Sequence, residues 1–145
     1  MDANCISFWA MIGTWFAGLA TFFATMVALY NASIWKKQII ESEKTQIITT
    51  LSKYLMNLED IKDKEENDST WTQLKENYDL LIPQFLSLKT ALLLRKKASN
   101  VVNKYNEYTQ CFKFNHESYM DESTSVENQI KVTTELMGNI LKLGN

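Results

Sequence analysis

Hydrophobic and polar residues are distributed very unevenly along this chain. No charged residue occurs between Asp2 and Lys36, and that stretch is almost entirely apolar, small or aromatic. About 20 consecutive apolar residues are enough for a helix to cross a bilayer, and this run is longer. A buried helix of a soluble protein is a weaker interpretation, because the rest of the chain is too short to enclose so long an apolar rod. The pattern therefore predicts a transmembrane anchor over residues 1–35.

The residues that flank the apolar run distinguish an anchor from a signal peptide and predict its orientation. A secretory signal peptide has a basic n-region and a shorter apolar core, whereas this N-terminus carries Asp2 and no Lys or Arg. Lys36, Lys37 and Lys44 follow the run closely. Under the positive-inside rule, the N-terminus lies outside and the C-terminal part lies in the cytoplasm.

Residues 36–145 show a helical pattern. The whole chain has one proline and four glycines, which favours a mostly helical structure. Apolar residues recur at alternating steps of three and four, with Lys44 as the polar exception, in a heptad seam formed by Ile40, Ile47, Leu51, Tyr54, Leu58 and Ile61. Pro83 predicts a break or kink, since it has no N–H to donate. The predicted fold class is all-α, with one transmembrane helix and a cytosolic domain of four or five helices.

The same periodicity predicts which residues of the later helices are buried. Polar connections are expected at residues 62–70 and 121–125. The predicted buried positions are Trp71, Leu74, Tyr78, Leu81, Phe85, Leu88, Leu92, Leu93, Val101, Tyr105, Tyr108, Phe112, Val126, Ile130, Met137, Ile140 and Leu141. Cys111 is interpreted as a small core residue, and His116 as a surface or capping residue.

Candidate chemistry is sparse. Metal sites need clustered Cys, His or carboxylate ligands at fixed spacings, and the sequence contains one histidine and neither CxxC nor HExxH. The phosphate-binding and nucleophile motifs GxxxxGK[ST], GxGxxG and GxSxG do not occur. The net charge of −2 gives no reason to expect DNA as a partner. We therefore expect neither an enzyme nor a cofactor.

The densest basic cluster is the best candidate for a ligand site. It comprises Arg95, Lys96, Lys97, Asn100, Asn103 and Lys104. Lysine and arginine can bind phosphate, and asparagine can both donate and accept hydrogen bonds, which suits a nucleotide. Two other interpretations stay open: a solvated helix end, where basic residues favour the helix dipole, and a patch that contacts anionic lipids.

Small residues recur within the apolar run at a spacing typical of helix contacts in lipid. Ala20, Ala24, Ala28 and Ala32 are four residues apart, and Gly13 with Ala17 repeats the spacing. Such stripes allow helix backbones to approach closely in a bilayer. The sequence therefore predicts a homo-oligomer, and the heptad seam would extend the association beyond the membrane.

Two resemblances accompany these patterns. Residues 12–30, IGTWFAGLATFFATMVALY, resemble a span common in small bacterial membrane proteins of mobile elements and defence loci. The layout of one N-terminal span and a cytosolic helical domain also resembles the membrane-anchored effectors of type III CRISPR systems, of the Vibrio type. That resemblance implies a bacterial inner-membrane protein that binds cyclic tetra-adenylate as a tetramer and disturbs the membrane. It covers layout and span, and it assigns no binding residue.

Three functions are compatible with the sequence. The first is an antiviral membrane effector whose cytosolic domain binds a cyclic oligoadenylate and changes the state of the span. The second is a passive anchored module that recruits a cytosolic protein. The third is a constitutive pore former, against which the large cytosolic part argues.

Overall fold

The computed structural model describes residues 3–63, 68–94 and 99–143. They form α1 (Ala3–Asp63), α2 (Asp68–Leu94), α3 (Ser99–Met120) and α4 (Val126–Lys142), and these ranges contain no strand. The all-α prediction is confirmed for this part of the chain. The chain divides into two compact units, Met1–Lys37 and Gln38–Asn145, which we call the N-terminal unit and the helical domain.

The N-terminal unit is a helix with no core of its own. Every side chain from residue 7 to residue 37 is exposed except Ile12, which is half-buried. Trp15, Phe16 and Phe23 are among the exposed large apolar residues. We call residues 7–35 the apolar segment. By length and composition, α1 is the one described helix capable of crossing a membrane.

The second half of α1 supplies one wall of the helical domain. The periodicity of the heptad seam is confirmed, because Ile40, Ile47, Leu51, Tyr54 and Leu58 are all fully buried. The seam packs in the core of its own domain, so it is not exposed to extend association with a second copy beyond the membrane. Lys44, its polar exception, is buried as well, and its Nζ lies 3.3 Å from a carboxylate oxygen of Glu41. The long lysine side chain can cover apolar surface while its ammonium reaches an exposed acid.

Aromatic contacts establish that α2 and α3 run antiparallel. The rings of Trp71 and Tyr119 stack with centroids 5.5 Å apart, which joins the start of α2 to the end of α3. Further along, the Tyr105 hydroxyl donates to the Phe85 carbonyl oxygen at 2.9 Å. These contacts place the second half of α2 beside the first half of α3.

A tight connection joins α3 to α4 at the predicted position. Glu122 adopts a left-handed φ of 57°. Ser125 caps α4, since its side chain accepts a hydrogen bond from the Asn128 backbone N–H at 3.3 Å. The Asn128 side chain in turn donates to Asn115 Oδ1 at 3.0 Å. The connection thus brings α3 and α4 together as an antiparallel pair.

Several local predictions are wrong. The break predicted at Pro83 is one of them, since Pro83 lies inside α2 and does not end it. Its ring is on an exposed side of the helix, while Leu81 and Phe85 remain buried, so core packing on the other side holds the helix together. Cys111, Leu93 and Leu141 are exposed. Each is directly next to a buried residue in the sequence, namely Phe112, Leu92 and Ile140, and one step along an α-helix rotates a side chain by about 100°, out of the core.

Candidate functional site

The predicted basic cluster lies at the start of α3 and in the stretch before it. Arg95, Lys96 and Lys97 fall outside the described residues. Asn100, Asn103 and Lys104 are exposed. Their spacing of three and four places them on neighbouring positions of the helix surface. None of the three makes a side-chain hydrogen bond or ion pair within the described part of the chain, so all three are accessible to a ligand.

A groove of about 480 Å³ lies between α2 and α3. We call it the basic groove. Its lining residues are Ile82, Pro83, Phe85, Leu86, Lys89, Tyr105, Asn106, Thr109, Gln110 and Lys113. They include two lysines and no acid, whereas the protein as a whole is net negative. The residues that line the groove therefore carry a net positive charge.

The polar groups on the floor of the basic groove are hydrogen-bonded to the protein's own backbone. Tyr105 is buried, and its hydroxyl donates to Phe85 O. Burial raises the pKa of Tyr105, and Glu43 adds to the shift, so the phenol stays neutral. The Thr109 hydroxyl donates to backbone oxygens of Tyr105 and Asn106 at 3.1 and 3.0 Å. The floor is rigid and offers no spare donor.

The walls of the basic groove hold the unused donors. Lys89 on α2 and Lys113 on α3 are half-buried, and neither has a carboxylate partner among the residues that the structure describes. The amides of Asn106 and Gln110 also make no hydrogen bond there. Four side chains with free N–H groups thus surround a partly apolar space.

A second groove of about 420 Å³ lies toward the other end of the same helix pair. We call it the acidic groove. It is lined by Lys75, Tyr78, Asp79, His116, Glu117, Met120 and Asp121. Three carboxylates against one lysine make it negative. The α2–α3 pair therefore presents two grooves of opposite charge.

Behind the acidic groove lies a buried polar cluster that joins all four helices. The Tyr54 oxygen of α1 is 2.7 Å from His116 Nδ1 of α3. Gln129 Nε2 of α4 donates to the same Tyr54 oxygen at 2.9 Å. The Tyr78 ring of α2 stacks on the His116 ring at 3.6 Å between centroids. Tyr54 is central to the cluster, since its hydroxyl accepts a hydrogen bond from Gln129 and makes another with His116.

The protonation of the cluster follows from its surroundings. Burial lowers the pKa of His116 to about 4, although Asp79 acts in the opposite direction. The imidazole is therefore neutral near pH 7. Because the Tyr54 oxygen already accepts from Gln129 Nε2, we assign the Tyr54 hydroxyl as the donor to Nδ1, with the imidazole proton on Nε2. Burial also raises the pKa of Tyr54, against the effect of the Gln129 hydrogen bond.

The prediction that His116 is a surface or capping residue is wrong. Its ring is 4 % exposed and lies in the core. The Tyr54 hydroxyl satisfies one ring nitrogen, which makes burial of the imidazole tolerable. Gln129 Oε1 is also buried and has no partner among the described atoms.

The cluster does not resemble a catalytic centre. Its phenol and imidazole are both held neutral in the core, and it contains no serine or cysteine nucleophile. No three His, Cys, Asp or Glu side chains come together as a metal site within the described ranges. The cluster fixes how the four helices pack.

Comparison with known proteins gives no match to any protein-family model, curated protein or solved structure. Function must therefore be argued from the chain itself. Sequence reasoning missed Lys89, Asn106, Gln110 and Lys113 as site candidates. The last three lie four and three residues apart, a polar helix stripe that is readable in the sequence, but only packing shows that Lys89 faces it.

Proposed function

We propose that this protein is a membrane-anchored effector, in which the apolar segment lies in a bilayer and the helical domain binds a ligand in the cytoplasm. The observation that carries the proposal is the contrast in burial within one chain. Trp15 and Phe16 are 71 % and 70 % exposed, whereas the helical domain buries a complete core. Exposed apolar surface of this extent is unfavourable in water, and lipid is the solvent in which it is stable.

The proposed orientation is N-terminus outside and helical domain in the cytoplasm of a bacterial cell, with the span in the inner membrane. Lys36 and Lys37 end the apolar segment and are exposed. The positive-inside rule supports this orientation. A reporter enzyme fused after Asn145 should be active in the cytoplasm, and activity on the periplasmic side would contradict the proposal.

Self-association through the apolar segment is the second part of the proposal. A Cβ added at Gly13 or Gly18 would meet nothing within 4 Å, so the helix surface is open there. The alanine stripe, with Ala24 and Ala28 at its centre, offers the same close approach to another helix. The tetramer is taken from the resemblance to CRISPR-associated membrane effectors. Cross-linking in detergent should trap an oligomer that Ala24→Leu with Ala28→Leu weakens.

Cyclic tetra-adenylate is the proposed ligand, and the resemblance alone suggests it. A cyclic ligand of four equal units matches a symmetric oligomer, because each protomer can present the same side chains to one unit. Ligand binding would favour one arrangement of the protomers over another. The resulting shift in the span can be no larger than the difference in ligand affinity between the two arrangements.

The direct test uses the full chain in detergent micelles and in liposomes. Calorimetric titration should detect binding of cyclic tetra-adenylate, and the ligand should trigger dye release from liposomes that contain the protein. Linear tetra-adenylate, which cannot present four equivalent units in a ring, is the matched control. Failure of cyclic tetra-adenylate to bind would exclude it as the ligand. Dye release that is equal with and without ligand would exclude gating.

A passive anchored interaction module is the second candidate. It is favoured by three exposed leucines on the second half of α2, namely Leu86, Leu93 and Leu94. Such side chains are common in protein-binding surfaces. This function predicts a protein that is captured from cell extract by the wild type and lost with Leu86→Ser and Leu93→Ser. It predicts no response to a nucleotide.

A further inference from the structure

We infer that the basic groove is a binding site for a phosphorylated organic molecule with a flat apolar body, the chemical class that includes nucleoside phosphates. The inference rests on the proposed function in one respect: the groove would be the place where each protomer holds its part of the ligand. It assigns that role to the groove in preference to the predicted cluster that begins at Arg95.

Charge is the first argument. Lys89 and Lys113 line the groove from different helices, and neither has an acidic partner among the described residues. Two half-buried lysines without a counter-ion favour the binding of an anionic ligand in the groove. The acidic groove on the same helix pair has the opposite sign, so an anion would be directed to one of the two.

Shape and chemistry of the walls are the second argument. A volume of about 480 Å³ lies within the range of roughly 300–1,000 Å³ typical of small-molecule sites. Pro83 and Leu86 form an exposed apolar wall, against which a flat ring can pack. Asn106 and Gln110 offer both donors and acceptors beside it, and such amides can pair with the edge of a base.

The rigidity of the floor is the third argument. Tyr105 and Phe85 are tied together across the two helices by the 2.9 Å hydrogen bond. A fixed floor costs little to organise when a ligand binds. Asn103 lies one turn before Asn106 on the same side of α3, so the groove is continuous with the accessible part of the predicted cluster.

The test measures ligand binding to the full chain in detergent by calorimetry, with cyclic tetra-adenylate, adenosine monophosphate and inorganic phosphate as separate probes. Lys89→Gln with Lys113→Gln should weaken binding of the nucleotide probes about tenfold or more, because two charge-assisted contacts are lost. Lys75→Gln with Lys131→Gln, which removes the same charge from other sites, should change affinity less than twofold.

A steric pair of variants separates occupancy of the groove from general charge. Gln110→Trp fills the groove, whereas Glu107→Trp places the same side chain on an exposed position of α3 outside its lining. Only Gln110→Trp should abolish binding. Both positions are exposed, so each variant should keep the wild-type helix content by circular dichroism.

The outcomes separate this inference from the proposed function. If cyclic tetra-adenylate binds and neither Lys89→Gln with Lys113→Gln nor Gln110→Trp changes its affinity, the ligand does not bind in the basic groove, and the proposed ligand is retained. If cyclic tetra-adenylate does not bind, and adenosine monophosphate binds with an affinity that depends on both lysines, the assignment of the groove as the site is supported and the proposed ligand is wrong. Binding of inorganic phosphate as tightly as of the nucleotides would contradict a role for the apolar wall. No binding of any probe overturns the inference.

Discussion

Helix α1 contains two regions that have the same backbone and use apolar side chains in opposite ways. In residues 7–35, apolar side chains point in every direction around the helix and almost all are exposed. In residues 40–58, the buried apolar residues recur every three or four positions and face one core. The angular distribution of apolar residues, more than their number, indicates which surroundings stabilise a helix.

Threonine hydroxyls behave alike in the two regions, since Thr133 and Thr134 of the helical domain also donate to backbone oxygens four residues earlier, and the difference lies in the tyrosines. In the apolar segment, the hydroxyls of Thr14, Thr21 and Thr25 donate to backbone oxygens four residues earlier, at 2.8–2.9 Å. These bonds stay within one helix and suit a solvent that offers no partners. In the helical domain, Tyr54 and Tyr105 bond across helices. Hydrogen bonds of that kind specify which helices pack together.

The largest expected effect separates a core leucine from an exposed one. Leu51→Ala removes a fully buried side chain and should lower the free energy of unfolding of the helical domain by about 2–5 kcal/mol. Leu19→Ala, at a position that is 51 % exposed, should leave it unchanged. Chemical denaturation in detergent, followed by near-ultraviolet circular dichroism, measures both. Equal destabilisation by the two changes would remove the distinction between the regions.

The second prediction uses two exposed methionines of α1 to distinguish lipid from water. Met26 and Met56 are 55 % and 64 % exposed. Met26→Lys should disfavour membrane insertion by roughly 2.5–3.5 kcal/mol, since a charge would lie within the apolar segment. Met56→Lys should have no effect on insertion. Alkaline extraction of membranes should release the first variant preferentially, and equal retention of both would contradict a span over residues 7–35.

The third prediction is a loss of stability in mild acid that is specific to the helical domain. Burial lowers the pKa of His116 from 6.5 to about 4. Below pH 6.5 the unfolded chain takes up a proton that the folded chain rejects until about pH 4. The contribution of His116 to stability is therefore nearly complete above pH 6.5 and falls between those values, by at most about 3.4 kcal/mol.

The interval from pH 7 to 5.5 isolates this effect, because ordinary carboxyl groups titrate lower. Denaturation at several pH values in that range should show a falling midpoint for the wild type. His116→Gln should lower stability at pH 7 and give a flatter profile below it. A wild-type midpoint that is constant from pH 7 to 5.5 would mean that the imidazole is not desolvated.

The helical pattern of the chain was largely predictable from local sequence. Buried residues such as Leu51 and Leu88 follow the period of the helix, and the sequence alone places them. Leu93 is predicted to be buried because it is as hydrophobic as its buried neighbour. One step along the helix turns its side chain by about 100°, however, and this places it on the surface. The helix does not break at Pro83, since tertiary packing on the opposite face outweighs one missing hydrogen bond.

The candidate sites were less predictable, because they depend on contacts between distant residues. His116 and Tyr54 are 62 positions apart, and no local pattern pairs them. Lys89 and Lys113 share a groove only because α2 and α3 run antiparallel. The polar stripe of Asn106, Gln110 and Lys113 can be identified from the sequence, but the sequence does not indicate which helix packs beside it.

The smallest predicted effect concerns the two uses of hydroxyl groups. Tyr54→Phe keeps the ring and removes only the oxygen that accepts from Gln129 Nε2 and donates to His116 Nδ1. Both partners would remain buried without a bond, so the helical domain should lose about 1–3 kcal/mol of stability. Thr21→Val removes a hydroxyl that bonds only to Ala17 O of its own helix, which still accepts its helical N–H. It should therefore leave the denaturation midpoint of the domain unchanged. A Tyr54→Phe midpoint equal to that of Thr21→Val would show that the hydrogen bonds of the buried cluster do not stabilise the packing of the helical domain.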